Sequence, residues 1–389
     1  MKNCFVVLLA VFLSAPSLSF AQQIVISGEA KTGIIWERVE NRLGNPDSLR
    51  TEARLGSLDD AGSGDGRFRI NMAYTSAGGN VGFRARLNWE NFNNAPTNGP
   101  HWDYAFGWAN MFNDQFTLSL GKLGGSPWGT GGPEMWRELE VTDFGGLRFE
   151  WKPNFVPGNL NIGFVLNWID DIADAGMDRD ATLMDLLLES VVGVSYSNDW
   201  FLARVAYRFD SEMDQGGARA GLDPFDEGGK LVYRVEEFVL RRFVPNLAVW
   251  ALGEFEGVGS ELPEVSFMTR NWLFIEYAPP AFTALLRLGF DATYARFIVH
   301  ASPSFSYNFL GGLLVPSVRF RWANDFGDAK IWPGSWFSHI GFEPSIRLNL
   351  AMGVNIDFAY YWRLENRFGP PGPPEMQTQM FNLRAGIVF

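Results

Sequence analysis

The chain has 389 residues, 15% of them aromatic, with 34 Phe, 15 Trp and a mean hydropathy of -0.06. Its 44 acidic and 32 basic residues give a net charge of -12, and the phosphates of nucleic acid would repel such an acidic surface. Cys4 is the only cysteine, so the chain can form neither an internal disulfide nor a thiolate zinc site. We therefore predict no nucleic-acid partner, metal or cofactor.

The first residues have the shape of a secretory signal peptide. Lys2 precedes an apolar run over residues 5–15, and the small residues Ser19 and Ala21 suit a cleavage site. A run of about 11 apolar residues is too short to cross a bilayer as a helix, which needs about 20. We predict that residues 1–21 are an export signal that is removed from the mature protein.

Beyond this segment, apolar or aromatic residues alternate with small, polar or charged ones. In the segment 67–74, for example, Phe68, Ile70 and Met72 alternate with Arg67 and Arg69. A period of two places the two sets on opposite faces of a β-strand. In chain order, the alternation is clear in segments 24–37, 67–74, 81–90, 147–152, 160–168, 201–209, 318–322 and 354–363.

Two features favour a membrane barrel over a soluble β-sandwich. Trp residues recur at strand ends, as at Trp36, Trp89 and Trp168, where a bilayer interface favours amphipathic rings. Long polar connections also alternate with short ones, which is typical of barrels with long extracellular loops and short periplasmic turns. The long connections are 39–66, 91–100, 124–145, 170–185, 211–228, 258–265, 324–338 and 365–377, and the short ones include 76–80, 113–114, 197–199, 279–280 and 311–312.

These patterns predict an all-β chain in which residues 22–389 form a single transmembrane, antiparallel up-and-down β-barrel. The number of alternating segments gives about 18 strands, with 16 as the alternative if one hairpin is misassigned. The uncertain place is the short connection at 292–295, where a long loop is due. An even number of strands would put both termini in the periplasm.

The last ten residues, 380–389, alternate up to a terminal phenylalanine. Phe381, Ile387 and Phe389 fall on one face, and the segment resembles the closing strand of bacterial outer-membrane barrels. The resemblance implies that the barrel assembly machinery recognises these residues and inserts the chain among the lipids of the outer membrane.

A second resemblance is local and covers residues 116–149. Two strands flank a connection that carries Gly131-Gly132-Pro133-Glu134, and this arrangement is similar to that of general porins. The resemblance implies that the third long loop, at about 124–145, folds inward and narrows a channel, and that the protein is a homotrimer. Met135-Trp136-Arg137 departs from the small residues, aromatics and glycines found there in many porins. The acidic candidates for the constriction are Glu134, Glu138, Glu140 and Asp143.

Arginines on the predicted strands are the second half of the candidate site. A lipid-facing arginine near the bilayer midplane costs about 2 to 4 kcal/mol, so many arginines on one face predict water on that side. Their permanent charge and forked geometry suit them to face carboxylates across a lumen. For any single arginine, the alternative is that it only solvates the inner wall. The candidates are Arg67, Arg69, Arg84, Arg86, Arg148, Arg319 and Arg321.

The expected function is passive diffusion of small hydrophilic solutes or ions through a water-filled, arginine-lined lumen. Two alternatives remain open, a substrate-specific channel and a surface adhesin built on a barrel. Catalysis is not expected. The sequence has three histidines, and the nearest to a nucleophile is His300, two residues before Ser302. Such neighbours on one strand face lie about 6.5 to 7 Å apart, beyond the hydrogen-bond contact that a hydrolase needs.

Overall fold

A computed structural model describes residues 24–41, 50–55, 67–90, 100–123, 128, 145–167, 190–209, 228–258, 268–293, 297–325, 339–351, 353–365 and 376–389. Within this part of the chain the strands are β1 (Val25–Asn41), β2 (Arg50–Leu55), β3 (Arg67–Thr75), β4 (Val81–Glu90), β5 (His101–Met111), β6 (Phe116–Lys122), β7 (Gly145–Trp151), β8 (Asn159–Asn167), β9 (Val191–Ser197), β10 (Phe201–Arg208), β11 (Gly229–Glu237), β12 (Leu247–Val258), β13 (Met268–Tyr277), β14 (Phe282–Thr293), β15 (Phe297–Tyr307), β16 (Leu314–Asp325), β17 (His339–Ala351), β18 (Val354–Glu365) and β19 (Met376–Val388). A short helix, α1 (Leu240–Phe243), and a 3-10 turn (Leu310–Gly312) lie in two of the connections.

All the strands belong to one sheet in which hydrogen-bonded neighbours run antiparallel. The sheet closes on itself because β1 pairs with β19, in a register that runs from Glu29 opposite Val388 to Asn41 opposite Met376. Closure joins the two ends of the sheet, so the first and last strands find backbone partners in each other.

The barrel has eighteen strand positions although the sheet contains nineteen strands. Both β2 and β3 pair with β1, β2 against residues 34–39 and β3 against residues 25–31. The two strands therefore share one position beside β1. The prediction of about 18 strands is confirmed, and the alternative of 16 is wrong.

Short and long connections alternate around the barrel. The turns at the end that holds Ile24 and Phe389 are 76–80, 112–115, 152–158, 198–200, 238–246, 278–281, 308–313 and 352–353. The connections at the opposite end include 91–100, 123–144, 168–190, 209–228, 259–267, 326–338 and 366–375. The predicted alternation is confirmed, with two departures among the strand pairs named above: the connection 294–296 is short, and the turn 238–246 has nine residues, as many as the connection 259–267.

The two faces of the wall differ in the way that the alternation predicts. Large apolar side chains on the outer face are open to the surroundings, as shown by Ile26 at 62% and Phe381 at 53% exposure. Charged side chains on the inner face are buried, with Arg148 at 8% and Glu254 at 3%. The barrel is thus apolar outside and charged inside, which is the reverse of a soluble protein. No helix in the described ranges is both long and apolar enough to cross a membrane.

The outer face also carries one hydrogen-bonded group of polar side chains. The Tyr233 hydroxyl on β11 donates to Oδ1 of Asn271 on β13 over 2.6 Å, and the Asn271 amide donates to Thr269 Oγ1 at the same distance. Asn271 is 8% exposed. Because the three side chains satisfy one another, their polar atoms do not meet an apolar environment unpaired.

The last residue is part of the seam that closes the barrel. The Phe389 amide donates to the Gly28 carbonyl over 2.9 Å, and the Gly28 amide donates to the Phe389 carbonyl over 2.7 Å. A Cβ atom at position 28 would lie 2.6 Å from Cζ of Phe389, so only glycine allows the ring to lie there. Phe381 and Ile387 share the outer face with Phe389, as predicted from the alternation.

Candidate functional site

The inner faces of β3 and β4 bring together four of the predicted arginines. In the antiparallel register Arg69 lies opposite Asn88, and Arg86 lies opposite Asn71. Each arginine donates from Nε to the Oδ1 atom of the asparagine opposite it, over 3.1 Å from Arg69 and 2.8 Å from Arg86. These bonds fix the two guanidinium groups against the wall. The two other arginines, Arg67 and Arg84, lie on the same face of these strands.

Carboxylates on neighbouring strands neutralise part of this charge. Glu29 on β1 forms ion pairs with Nη2 of Arg67 at 2.8 Å, with Nη1 of Arg69 at 3.6 Å and with Nζ of Lys31 at 3.0 Å. Asp103 on β5 lies 4.0 Å from nitrogen atoms of both Arg69 and Arg86. Three of the four arginines, Arg67, Arg69 and Arg86, therefore face two acidic side chains that the sequence analysis did not select.

Arg148 is held inside the wall by contacts with three residues. Its Nε lies 3.0 Å from Glu150 Oε1, and its Nη2 lies 3.5 Å from Ser119 Oγ. The guanidinium carbon also lies 5.5 Å from the centre of the Phe106 ring. Contacts on three sides make Arg148 a structural part of the wall.

Across the seam between β19 and β1, arginines again converge on single carboxylates. Glu343 on β17 pairs with Nε of Arg321 at 2.6 Å and with Nη1 of Arg319 at 3.5 Å. On β18, Asp357 accepts from Nε of Arg347 over 2.6 Å and from Nη2 of Arg384 over 2.6 Å. The predicted pair Arg319 and Arg321 is thus brought together, and the carboxylate between them was missed.

The inner faces of β11 to β13 carry an acidic region. Glu254 pairs with Lys230 at 2.9 Å and with Arg270 at 3.0 Å, and Glu256 pairs with Lys230 at 3.0 Å. Glu254 and Glu256 are 3% and 4% exposed. Both acids occupy alternate positions of one strand, so the period of two could have assigned them to the inner face. The sequence analysis placed its acidic candidates on the third connection, so it did not select these two strand residues.

The wall also has two apolar regions. Trp250 and Phe274 lie opposite each other on β12 and β13 and stack with ring centres 4.9 Å apart. Next to them, Trp272 lies 5.1 Å from the ring of His300, whose Nε2 is 3.0 Å from Asp291 Oδ2. The second region lies on β8 to β10, where Trp128 is completely buried together with Val165, Val191 and Ala206.

The acidic residues predicted for the constriction, Glu134, Glu138, Glu140 and Asp143, lie outside the described residues. Trp128 belongs to the same connection between β6 and β7 and is described. Among the described residues, no group of three or more His, Cys, Asp or Glu side chains could hold a metal ion.

Solved structures with a similar fold include Pseudomonas aeruginosa OpdQ, at a TM-score of 0.56 and 10% identity over 94% of this chain and 97% of that chain. Acinetobacter baumannii OccAB3 matches at a TM-score of 0.53 and 12% identity over 94% of this chain and 99% of that one. A triple mutant of the Rhodopseudomonas blastica porin matches at 0.47 and 13% identity, over 94% and 100% of the two chains, and this score is too low to support an argument.

No protein-family model matches the sequence, and no curated protein matches it. At the identities above, similarity establishes the fold alone. The predicted resemblance is confirmed at that level, because the chain has the closed barrel fold of the bacterial porin type.

Proposed function

We propose that this chain is a bacterial outer-membrane channel that lets small hydrophilic solutes or ions diffuse passively through a water-filled lumen. The observation that carries the proposal is the distribution of polarity across a closed wall. The outer face is mainly apolar, and the inner face holds arginines, lysines and carboxylates joined in ion pairs. A polar interior inside an apolar wall is typical of the water-filled channels of porins.

The same distribution supports the proposed location. An apolar band on a closed barrel fits the hydrocarbon core of a bilayer, so lipids of the outer membrane would cover it. Export would require residues 1–21 as a signal that is removed, leaving residues 22–389 as the barrel. The outer-face position of Phe381, Ile387 and Phe389 supports a role in recognition by the barrel assembly machinery.

We propose that selectivity results from charges on opposite sides of the lumen. The basic side would be the wall arginines Arg67, Arg69, Arg84, Arg86, Arg148, Arg319 and Arg321. The acidic side would be the inward-folding third loop, about 124–145, with Glu134, Glu138, Glu140 and Asp143. Opposed charges across a narrow passage orient polar solutes and exclude apolar ones. Catalysis forms no part of the proposal, and the oligomer that we propose is a homotrimer.

A substrate-specific channel is the second candidate, and the aromatic region on β12 and β13 favours it. The stacked rings of Trp250 and Phe274 lie on the inner wall next to Glu236, which is opposite Trp250 in the register. A planar solute could use the partly exposed Trp250 ring as a contact surface. An adhesin would instead depend on the long connections.

Conductance of the refolded protein in planar lipid bilayers tests the proposal and separates the candidates. We expect ohmic single-channel steps that grow in proportion to salt concentration. Block or saturation of the current by one solute class would favour the specific channel. A correctly folded barrel that gives no current would refute both channel candidates and would leave the adhesin.

A further inference from the structure

The inner wall of β12 and β13 carries an aromatic platform, formed by Trp250 and Phe274. The two residues lie opposite each other in the register, and their rings stack with centres 4.9 Å apart and planes 3° apart. Phe274 is 4% exposed, whereas Trp250 is partly exposed. Because Phe274 covers one face of the Trp250 indole, the exposed part is the opposite face and its edge, which meet the lumen. Such a flat apolar surface is suited to bind the flat apolar face of a solute.

A row of hydroxyl groups crosses the inner wall of the next four strands. In the register, Thr283 on β14 lies opposite Ser306 on β15. Ser306 lies opposite Ser317 on β16, which in turn lies opposite Ser345 on β17. All four residues, which we call the hydroxyl row, are partly exposed, and Ser317 Oγ lies 2.6 Å from Ser345 Oγ. A hydroxyl group both donates and accepts hydrogen bonds, so the row can exchange hydrogen bonds with a solute that itself carries hydroxyl groups.

The register joins the aromatic platform to the hydroxyl row. Phe274 lies opposite Arg287 on β14, and Arg287 lies opposite Ser302 on β15. Ser302 shares the inner face of β15 with Ser306 of the row. Neighbouring strands are about 4.8 Å apart, so Ser302 lies about 14 Å from Trp250 along the wall. One continuous stretch of inner wall thus offers a flat ring at one end and hydroxyl groups at the other, at a separation that an oligosaccharide spans.

Charged side chains beside the aromatic platform supply further donors and acceptors. Glu236, which is opposite Trp250 in the register, pairs with Arg234 at 3.2 Å and with Arg241 at 2.5 Å. Arg287 lies on the other side of the platform. A sugar ring matches these surroundings, because its C–H face is apolar and the hydroxyl groups at its edge both donate and accept hydrogen bonds. The hydroxyl row itself has no charge to pair with an ion, so this part of the wall favours a neutral ring over an aromatic carboxylate.

We propose that the aromatic platform and the hydroxyl row form a binding path for neutral saccharides on the inner wall. Both lie near one end of the barrel, since Trp250 is the fourth residue of β12 and Thr283 the second of β14, and both strands begin at the end that holds Phe389. One sugar ring packs its C–H face on Trp250, while the following rings exchange hydrogen bonds with Ser302 and the row. The inference names a substrate class for the channel proposed above and rests on that channel function.

Current block in planar bilayers tests the path. The probes are two neutral trisaccharides, maltotriose and raffinose, a polyethylene glycol of similar mass, which is neutral but has no ring, and benzoate, which is a charged ring. Trp250→Leu keeps an apolar side chain over Phe274 but removes the flat surface. The matched control is Trp108→Leu, the same change at a partly exposed residue on the inner face of β5. Ser306→Ala combined with Ser317→Ala removes two hydroxyl groups of the row. Only barrels that show heat-modifiable mobility are studied.

We expect a trisaccharide to block the wild-type current at concentrations at which the polyethylene glycol and benzoate do not. The apparent dissociation constant should rise about fivefold or more in Trp250→Leu and about threefold to tenfold in the serine double variant, and it should keep the wild-type value in Trp108→Leu.

A conducting wild type that neither trisaccharide blocks would overturn the saccharide path and leave the channel proposal intact. Block that Trp250→Leu and Trp108→Leu weaken equally would overturn the path as well, and so would block by benzoate alone, which would indicate an anionic ring. A silent wild type would instead overturn the channel proposal and the path with it. If Trp250→Leu does not fold, the serine double variant decides, and wild-type affinity in that variant would overturn the path.

Discussion

The cluster around Asp357 offers the sharpest test of how the inner wall is held together. Asp357 on β18 is 8% exposed and binds an arginine from each flanking strand, Arg347 on β17 and Arg384 on β19. Arg384 approaches with both Nε, at 2.9 Å, and Nη2, at 2.6 Å. The change Asp357→Asn keeps the shape of the side chain but removes its charge and turns an amide group toward cationic donors.

The expected loss follows from the exposure of the two partners. Arg384 has a side-chain exposure of 17%, and hydrogen bonds to charged groups in such surroundings contribute about 1.5 to 3 kcal/mol. The Arg347 side chain is 49% exposed, so solvent screening reduces its pair to about 0 to 1 kcal/mol. The sum predicts that Asp357→Asn lowers the free energy of unfolding by about 1.5 to 4 kcal/mol.

The assay is reversible denaturant unfolding of the barrel in lipid vesicles, followed by tryptophan fluorescence. The control is Glu40→Gln, which breaks an ion pair with Arg38 whose side chains are 43% and 46% exposed, and which should cost less than about 0.5 kcal/mol. If Asp357→Asn destabilises the barrel no more than Glu40→Gln does, the reasoning from burial is wrong. In bilayers, Asp357→Asn should also shift ion preference toward anions, because two arginines lose their shared counter-charge.

Three further predictions concern the closing strand, the third loop and the outer face. Deleting Phe389 removes two backbone hydrogen bonds at the seam and should reduce the yield of heat-modifiable barrel; an unchanged yield would argue against its role in assembly. Replacing Glu134 and Glu138 together by glutamine should lower cation preference in reversal-potential measurements, and no shift would mean that these acids do not face the passage. Tyr233→Phe leaves the Asn271 Oδ1 atom without its 2.6 Å hydrogen bond and should lower the free energy of unfolding by about 1 to 3 kcal/mol in the same assay. An unchanged free energy of unfolding would contradict this prediction and would mean that water takes the place of the hydroxyl.

The sequence was sufficient to predict which face each strand residue occupies. The period of two assigned Arg67 and Arg69 to one face and Phe68 to the other, and the alternation of loop lengths gave the number of strand positions. Both patterns depend only on the order of residues along the chain, so a single sequence is enough to show them. The extra strand β2 was missed because β2 shares a position with β3 and adds no turn of its own to the alternation.

Contacts between strands could not be predicted in the same way, because they depend on register. A shift of one residue changes which side chains lie opposite each other. The pairing of Arg86 with Asn71 on β3, and the register shift between Arg86 and Leu87 against β5, are examples. The same reason hid the packing of Trp128 against β8 and β9, since Gly163 and Gly193 are thirty residues apart in the sequence and become a pair only in the sheet.

The ion pairs change how the charge of the wall should be interpreted. Counting arginines alone suggests a strongly positive lumen, yet Glu29, Glu343 and Asp357 each bind at least two basic side chains within 4 Å. Opposite charges at such distances largely cancel at the scale of a solute, and salt screens what remains beyond about 8 to 10 Å. A wall carboxylate should therefore affect ion preference as strongly as a wall arginine, so the two kinds of residue must be varied together when the selectivity of the channel is mapped.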